Sequence, residues 1–72
     1  GDHILEITFA DDSRIVVNRH AAMQEMWVAA KSGGFHFRWT GAAWQDTRQN
    51  DELMATLSRL ISAQAKQPLT LN

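Results

Sequence analysis

The sequence predicts an α+β fold, an antiparallel β-sheet with a C-terminal helix packed on one face. Two observations carry that expectation. Apolar residues in the first half alternate with period two, and between Asn50 and Ala65 the period changes to that of a helix. Runs of strands followed by a helical stripe belong to the α+β class.

In the first strand Leu5, Ile7 and Phe9 share one face and Ile4, Glu6 and Thr8 the other. The next strand, Arg14 to Asn18, gives Ile15 and Val17 the same parity. Residues opposed across an antiparallel pair point to the same side. Setting Ile7 against Ile15 and Leu5 against Val17 therefore leaves Ala10-Asp11-Asp12 as the turn. Such a loop puts its third residue in the left-handed region, which costs Asp12 roughly 1 kcal/mol relative to Gly.

A third strand, Glu25 to Ala30, directs Met26, Val28 and Ala30 to the core and Glu25, Trp27 and Ala29 away from it. After a turn at Lys31-Ser32-Gly33-Gly34, a fourth strand points Phe35, Phe37 and Trp39 inward and His36 and Arg38 outward. Pairing Ala30 with Phe35 places Val28 on Phe37, Met26 on Trp39, and Trp27 opposite Arg38 within cation–π reach. Thr40-Gly41-Ala42-Ala43 then turns the chain into a short strand beginning at Trp44.

From Asn50, Leu53, Leu57, Leu60, Ile61 and Gln64 form the helical stripe, with Met54 beside it. Asn50 or Asp51 is the expected cap, and Asp51 and Glu52 suit the positive end of the helix dipole. Pro68 stops the helix, and Leu69-Thr70-Leu71 reads as a terminal extended segment.

The 72 residues form one domain, residues 1–72. A chain this short buries only about 60% of its unfolded surface, and without cysteine it has neither disulfide nor thiolate metal site to compensate. A net charge of −1 offers no basic stripe for nucleic acid. No apolar run approaches a membrane span, and the first residues carry no signal-peptide pattern. A cytoplasmic protein is the expectation.

The residues now resemble a known family. Ile4-Leu5-Glu6-Ile7-Thr8-Phe9 followed by Ser13-Arg14-Ile15-Val16-Val17-Asn18-Arg19 is similar to the frataxin run of strand, tight turn and strand ending in Asn-Arg or Asn-Lys. Gln24-Glu25-Met26-Trp27-Val28-Ala29 looks like the family's Trp-centred strand. Gly34 to Trp44 resembles its segment of aromatic–x–Trp–x–Gly–x–x–Trp type, and the closing helix with Pro68-Leu69-Thr70 fits as well. The match runs along nearly the whole chain in order.

The resemblance implies an antiparallel sheet with helices on one face, weak binding of ferrous and ferric iron, and association with the cysteine desulfurase and scaffold protein of iron–sulfur cluster assembly. It implies no catalytic pocket. The family begins with an acidic helix and acidic strand that supply most of its iron-binding carboxylates, whereas this sequence starts at the turn after them. One helix is then expected to cover a face normally shared by two, and the uncovered apolar surface to favour a homodimer. Asp12 also stands where the family usually has Gly, and Arg38 where an acidic residue is common, so the outer face is less acidic.

For partner binding the expected residues are Trp27, Asn18, His36 and Arg38, because an outward Trp among polar neighbours is a typical interface anchor. Arg14 is a further expected neighbour. Trp39 and Trp44 are assigned to packing. For iron, a hard cation that prefers carboxylate oxygens, the candidates are Asp11 and Asp12 at a loop tip, then Asp2 with His3. Glu6, Glu25 and Asp46 are further carboxylates, though two exposed turn carboxylates are ordinarily only solvated. His3, His20 and His36 lack the short spacing of a zinc site. No Ser lies in a local His and Asp arrangement for nucleophilic catalysis, and Gly33-Gly34 precedes a strand rather than a phosphate-binding helix. An iron carrier or ferroxidase is the alternative expectation, and a structural or oligomerisation unit a third.

Overall fold

The computed structural model describes residues 3–71. Five strands form one sheet in chain order: β1 Ile4–Thr8, β2 Arg14–His20, β3 Glu25–Ala30, β4 Gly33–Trp39 and β5 Trp44–Asp46. All neighbouring pairs are antiparallel. A single 3₁₀ turn, Ala21–Met23, links β2 to β3, and α1 spans Leu53–Ala65. The expected α+β architecture is the one observed.

The first hairpin closes as the alternation requires. Ile7 opposes Ile15 and Leu5 opposes Val17. The Phe9 amide donates to the Ser13 carbonyl at 2.9 Å, and Asp12 adopts a φ of 69°. The Asp11 carboxylate braces the turn by accepting from the Ser13 amide and hydroxyl.

The second hairpin differs from expectation by two residues. Ala30 pairs with Gly33, so the turn is Lys31-Ser32 alone, and Val28 opposes Phe35, Met26 opposes Phe37, and Trp27 opposes His36. Gly33 has a φ of 147°, a conformation that side-chain-bearing residues rarely take, and this lets the strand resume immediately. A shift of two preserves side-chain parity, so every residue keeps its predicted face while its neighbours change.

The core joins Ile15, Val17, Val28 and Phe37 from the sheet to Leu53, Leu57 and Leu60 of the helix. Phe37 and Ile15 are completely enclosed. Thr56 is also buried and completes the inward stripe of α1. Leu5 and Trp39, both on the helix-facing side, remain 59% and 42% exposed.

The cap of α1 is Glu52, neither Asn50 nor Asp51. Its carboxylate accepts from the Met54 and Ala55 amides at 2.8 and 3.2 Å. The helix cannot begin earlier because residues 50–52 are committed elsewhere. Asn50 has a left-handed φ of 61°, the Asp51 carbonyl accepts from the Asp46 amide, and Glu52 bridges to Gln45.

At its other end Lys66 turns left-handed, and the Gln67 amide donates back to the Ser62 carbonyl. The expected terminal strand does not form. The Ser62 hydroxyl satisfies both the amide and carbonyl of Leu69, and the Ser58 hydroxyl accepts from the Leu71 amide. These bonds tie the tail to the helix instead of a sheet edge.

Gln64 latches the sheet to the helix. Its amide nitrogen donates to Ser13 Oγ and the Arg14 carbonyl, and its oxygen accepts from the Lys31 amide. One side chain thus holds both hairpin turns.

Replacing Asp12 with Gly relieves the left-handed strain at a position where glycine is free to sit. The Asp12→Gly variant is expected to gain up to about 1 kcal/mol in urea unfolding at an unchanged m-value. A lower midpoint would contradict the turn assignment.

Candidate docking face

The sheet face turned away from α1 carries two rows of polar and aromatic side chains. Antiparallel pairing sets Asn18, Trp27 and His36 side by side across β2, β3 and β4. The adjacent row is His20, Glu25, Arg38 and, on β5, Gln45.

Trp27 lies between two imidazoles. The His20 ring centroid is 3.7 Å from that of Trp27 at a 35° tilt, and His36 stacks at 4.5 Å within 10° of parallel. The tryptophan is consequently half-buried even though no helix among the described residues covers it.

Beneath the stack, Glu25 is 5% exposed and holds the two rows together. Trp27 Nε1 donates to Glu25 Oε1 at 2.7 Å, and Arg38 Nη2 donates to Oε2 at 3.0 Å. The Trp27 N–H first, then the Arg38 guanidinium, keep the Glu25 carboxyl below its ordinary value of 4.5 despite partial desolvation. Beside the stack, Asn18 Oδ1 is enclosed and has no hydrogen-bond partner.

The four expected partner-binding residues therefore lie on one face, with two corrections of neighbourhood. Arg38 faces Glu25 rather than Trp27, because the Lys31-Ser32 turn sets the register, and His36 occupies the tryptophan's flank instead. Arg14 sits two rows away, opposite Thr8 and 3.7 Å from Glu6. His20 is the contributor that sequence reasoning missed for this face, and Glu25, placed there by parity, was counted only as a carboxylate and not as the partner of Trp27 and Arg38. Their signal was parity: His20 alternates with Asn18, and Glu25 with Trp27.

The iron candidates are placed differently. Asp11 Oδ1 accepts from the Ser13 amide and hydroxyl, and Oδ2 lies 3.9 Å from Lys31 Nζ. The Ser13 hydrogen bonds foremost, aided by the charges of Lys31 and Lys66, hold its carboxyl below the usual carboxylate range. Asp12 is exposed at the tip of the same turn, while His3 sits at the opposite end of β1, with its carbonyl accepting from the Arg19 amide. Asp2 lies outside the described residues. Among the described residues no group of three or more His, Asp or Glu comes together to hold a metal ion.

Trp39 and Trp44 contact each other on the helix side, with centroids 5.4 Å apart. With Arg19, His20, Ala21, Gln24 and Glu25 they line an open groove of about 360 Å³ at the end of the sheet.

The family profile described as a frataxin-like domain matches residues 1–67. The iron–sulfur cluster assembly protein CyaY of Dechloromonas aromatica is 60% identical over 68 residues, covering 94% of this chain and 65% of that protein. The CyaY of Cupriavidus metallidurans is 55% identical over 69 residues, covering 96% of this chain and 62% of that protein. The solved frataxin of Psychromonas ingrahamii superposes with a TM-score of 0.84 at 27% identity, over 93% of this chain and 64% of that one. The chain thus spans somewhat less than two thirds of the length of these relatives.

Because the folded-state carboxyl of Glu25 is held low, its ionised form stabilises the fold above its ordinary value of 4.5. That stabilisation is lost as pH falls through the depressed value. Glu25→Gln is expected to be less stable than the parent at pH 7, and the two melting curves to converge as pH drops below about 4.5. Melting temperatures that run parallel across this range would contradict the assigned role.

Proposed function

The chain belongs to the frataxin-like family, and from that premise we propose that it serves iron–sulfur cluster assembly by docking on the cysteine desulfurase and its scaffold. The docking element is the outer sheet face, and the reading rests on one observation. Trp27, Asn18 and His36 form a continuous row on the face opposite α1, which no helix among the described residues covers.

That row has the physical character of an interface core. Tryptophan supplies large contact area, and its orientation is fixed in advance by two flanking rings and by Glu25. A side chain already held in place loses little rotamer freedom when a partner closes over it. Asn18 lies beside the indole in the same row and completes the patch. Arg38, anchored to Glu25, borders the patch.

In this reading the protein is a regulator and not itself an enzyme. It acts in the cytoplasm, adjusting sulfur transfer with iron status. Iron enters as weakly held cargo, and no step of docking is assigned to it. No helix among the described residues is long and apolar enough to cross a membrane.

Calorimetry with the desulfurase tests the proposal. Trp27→Ala is expected to cost about 2 kcal/mol or more, roughly thirtyfold in affinity, as for a central aromatic anchor. Unchanged affinity in a variant whose sheet amide spectrum is preserved would remove this face from the account.

A further inference from the structure

Strand pairing carries the Trp27 row onto β1. Ile4 opposes Asn18, Asn18 opposes Trp27, and Trp27 opposes His36, so the row crosses four strands. Ile4 therefore lies on the side of the sheet turned away from α1, and it is 67% exposed. It belongs neither to the core nor to the apolar residues packed against the core. Its neighbour Leu5 is 59% exposed, has the opposite parity and pairs with core Val17. Two adjacent apolar side chains of one strand thus label the two faces of the sheet.

A stable protein interface covers roughly 800 Å² on each partner, far more than one indole supplies. Trp27 is flanked by the His20 and His36 rings, and its N–H is committed to Glu25. The neighbouring Asn18 Oδ1 is enclosed. What remains for a partner at the centre of the row is ring edge, and at its β1 end the Ile4 side chain. Ile4, Asn18, Trp27 and His36 include no carboxylate, lysine or arginine, and Val16, Ala29 and Gly34 in the adjoining row add none. Around them Glu6 lies against Arg14 at 3.7 Å and Glu25 against Arg38 at 3.0 Å. Carboxylates matched in this way give little net attraction to a segment of either sign. An aliphatic side chain beside aromatic edges gains from apolar burial instead.

Resting on the docking role above, we infer that the interface extends across β1 onto Ile4 and receives an apolar segment of the assembly partner. Its two anchors are Ile4 and Trp27, two strand spacings or roughly 10 Å apart, with Asn18 between them.

Calorimetry with the assembled desulfurase–scaffold complex tests the inference. Ile4→Ser is expected to weaken binding about tenfold, and Leu5→Ser to leave it within about twofold, because only Ile4 faces the partner. Ile4→Lys and Ile4→Glu are expected to weaken it by similar factors. Tighter binding with either sign would show a charged occupant and overturn the inference. Methyl spectra of the parent chain give a second measure that needs no variant. The Ile4 δ1 methyl signal is expected to shift or broaden when the complex is added, while the Leu5 methyls stay unchanged. An unmoved Ile4 methyl, or equal losses from Ile4→Ser and Leu5→Ser, would also overturn it. Trp27→Ala separates the two claims. If it weakens binding while Ile4→Ser does not, the docking role stands and the extension onto β1 falls. A parent chain that does not bind the complex removes the docking role itself, and the extension with it.

Discussion

The Lys31-Ser32 turn sets the register of β4 against β3, and the character of the outer face follows from that pairing. With Ala30 opposite Gly33, His36 lands beside Trp27 and Arg38 beside Glu25. Had the turn been two residues longer, Arg38 would have flanked the indole and Glu25 would have lain beyond the strand's paired end. A buried carboxylate without its two donors is costly. In the observed register it is satisfied by Trp27 and Arg38 together, so the hydrogen bonds and the stacking reinforce a single pairing. Backbone geometry at Gly33 and side-chain chemistry at Glu25 thus favour the same alignment.

The opposite face is asymmetrical. Leu53, Leu57 and Leu60 seal the middle strands, and Gln64 fastens both hairpin turns to the end of the helix. Toward β1 the seal is incomplete, which leaves Leu5 largely exposed although its parity is that of the core. The two sides of the sheet therefore differ in kind. One is an apolar layer closed by α1, and the other a polar and aromatic layer held in shape by its own contacts.

Most of this architecture was legible in the sequence because period-two alternation fixes faces regardless of small errors in register. Ile15, Val17, Val28 and Phe37 were assigned inward from parity alone, and the first hairpin closed as expected because only one loop length aligns Ile7 with Ile15. What parity cannot supply is the partner across the strand. The β3–β4 pairing depends on how far Gly33 and Gly34 enter the strand, which apolar matching does not decide. Local competition explains the helix ends. Asn50 looks like a cap in isolation, yet tertiary bonds to β5 hold residues 50–52 and hand the role to Glu52. Thr56 escaped notice as a core residue because its type is polar while its helical position is inward. At the candidate site, Trp27, Asn18 and His36 were legible as a group, whereas the contribution of His20 required knowing that β2 extends through it.

Nuclear Overhauser contacts of the Trp27 indole test the central claim most directly, because they report which side of the sheet it occupies and what flanks it. The expected result is contacts from its ring protons to both the His20 and His36 imidazoles, with the ring protons of His36 shifted upfield by stacking. Contacts instead to Leu57 or Leu60 of the helix, or an indole without imidazole neighbours, would contradict it.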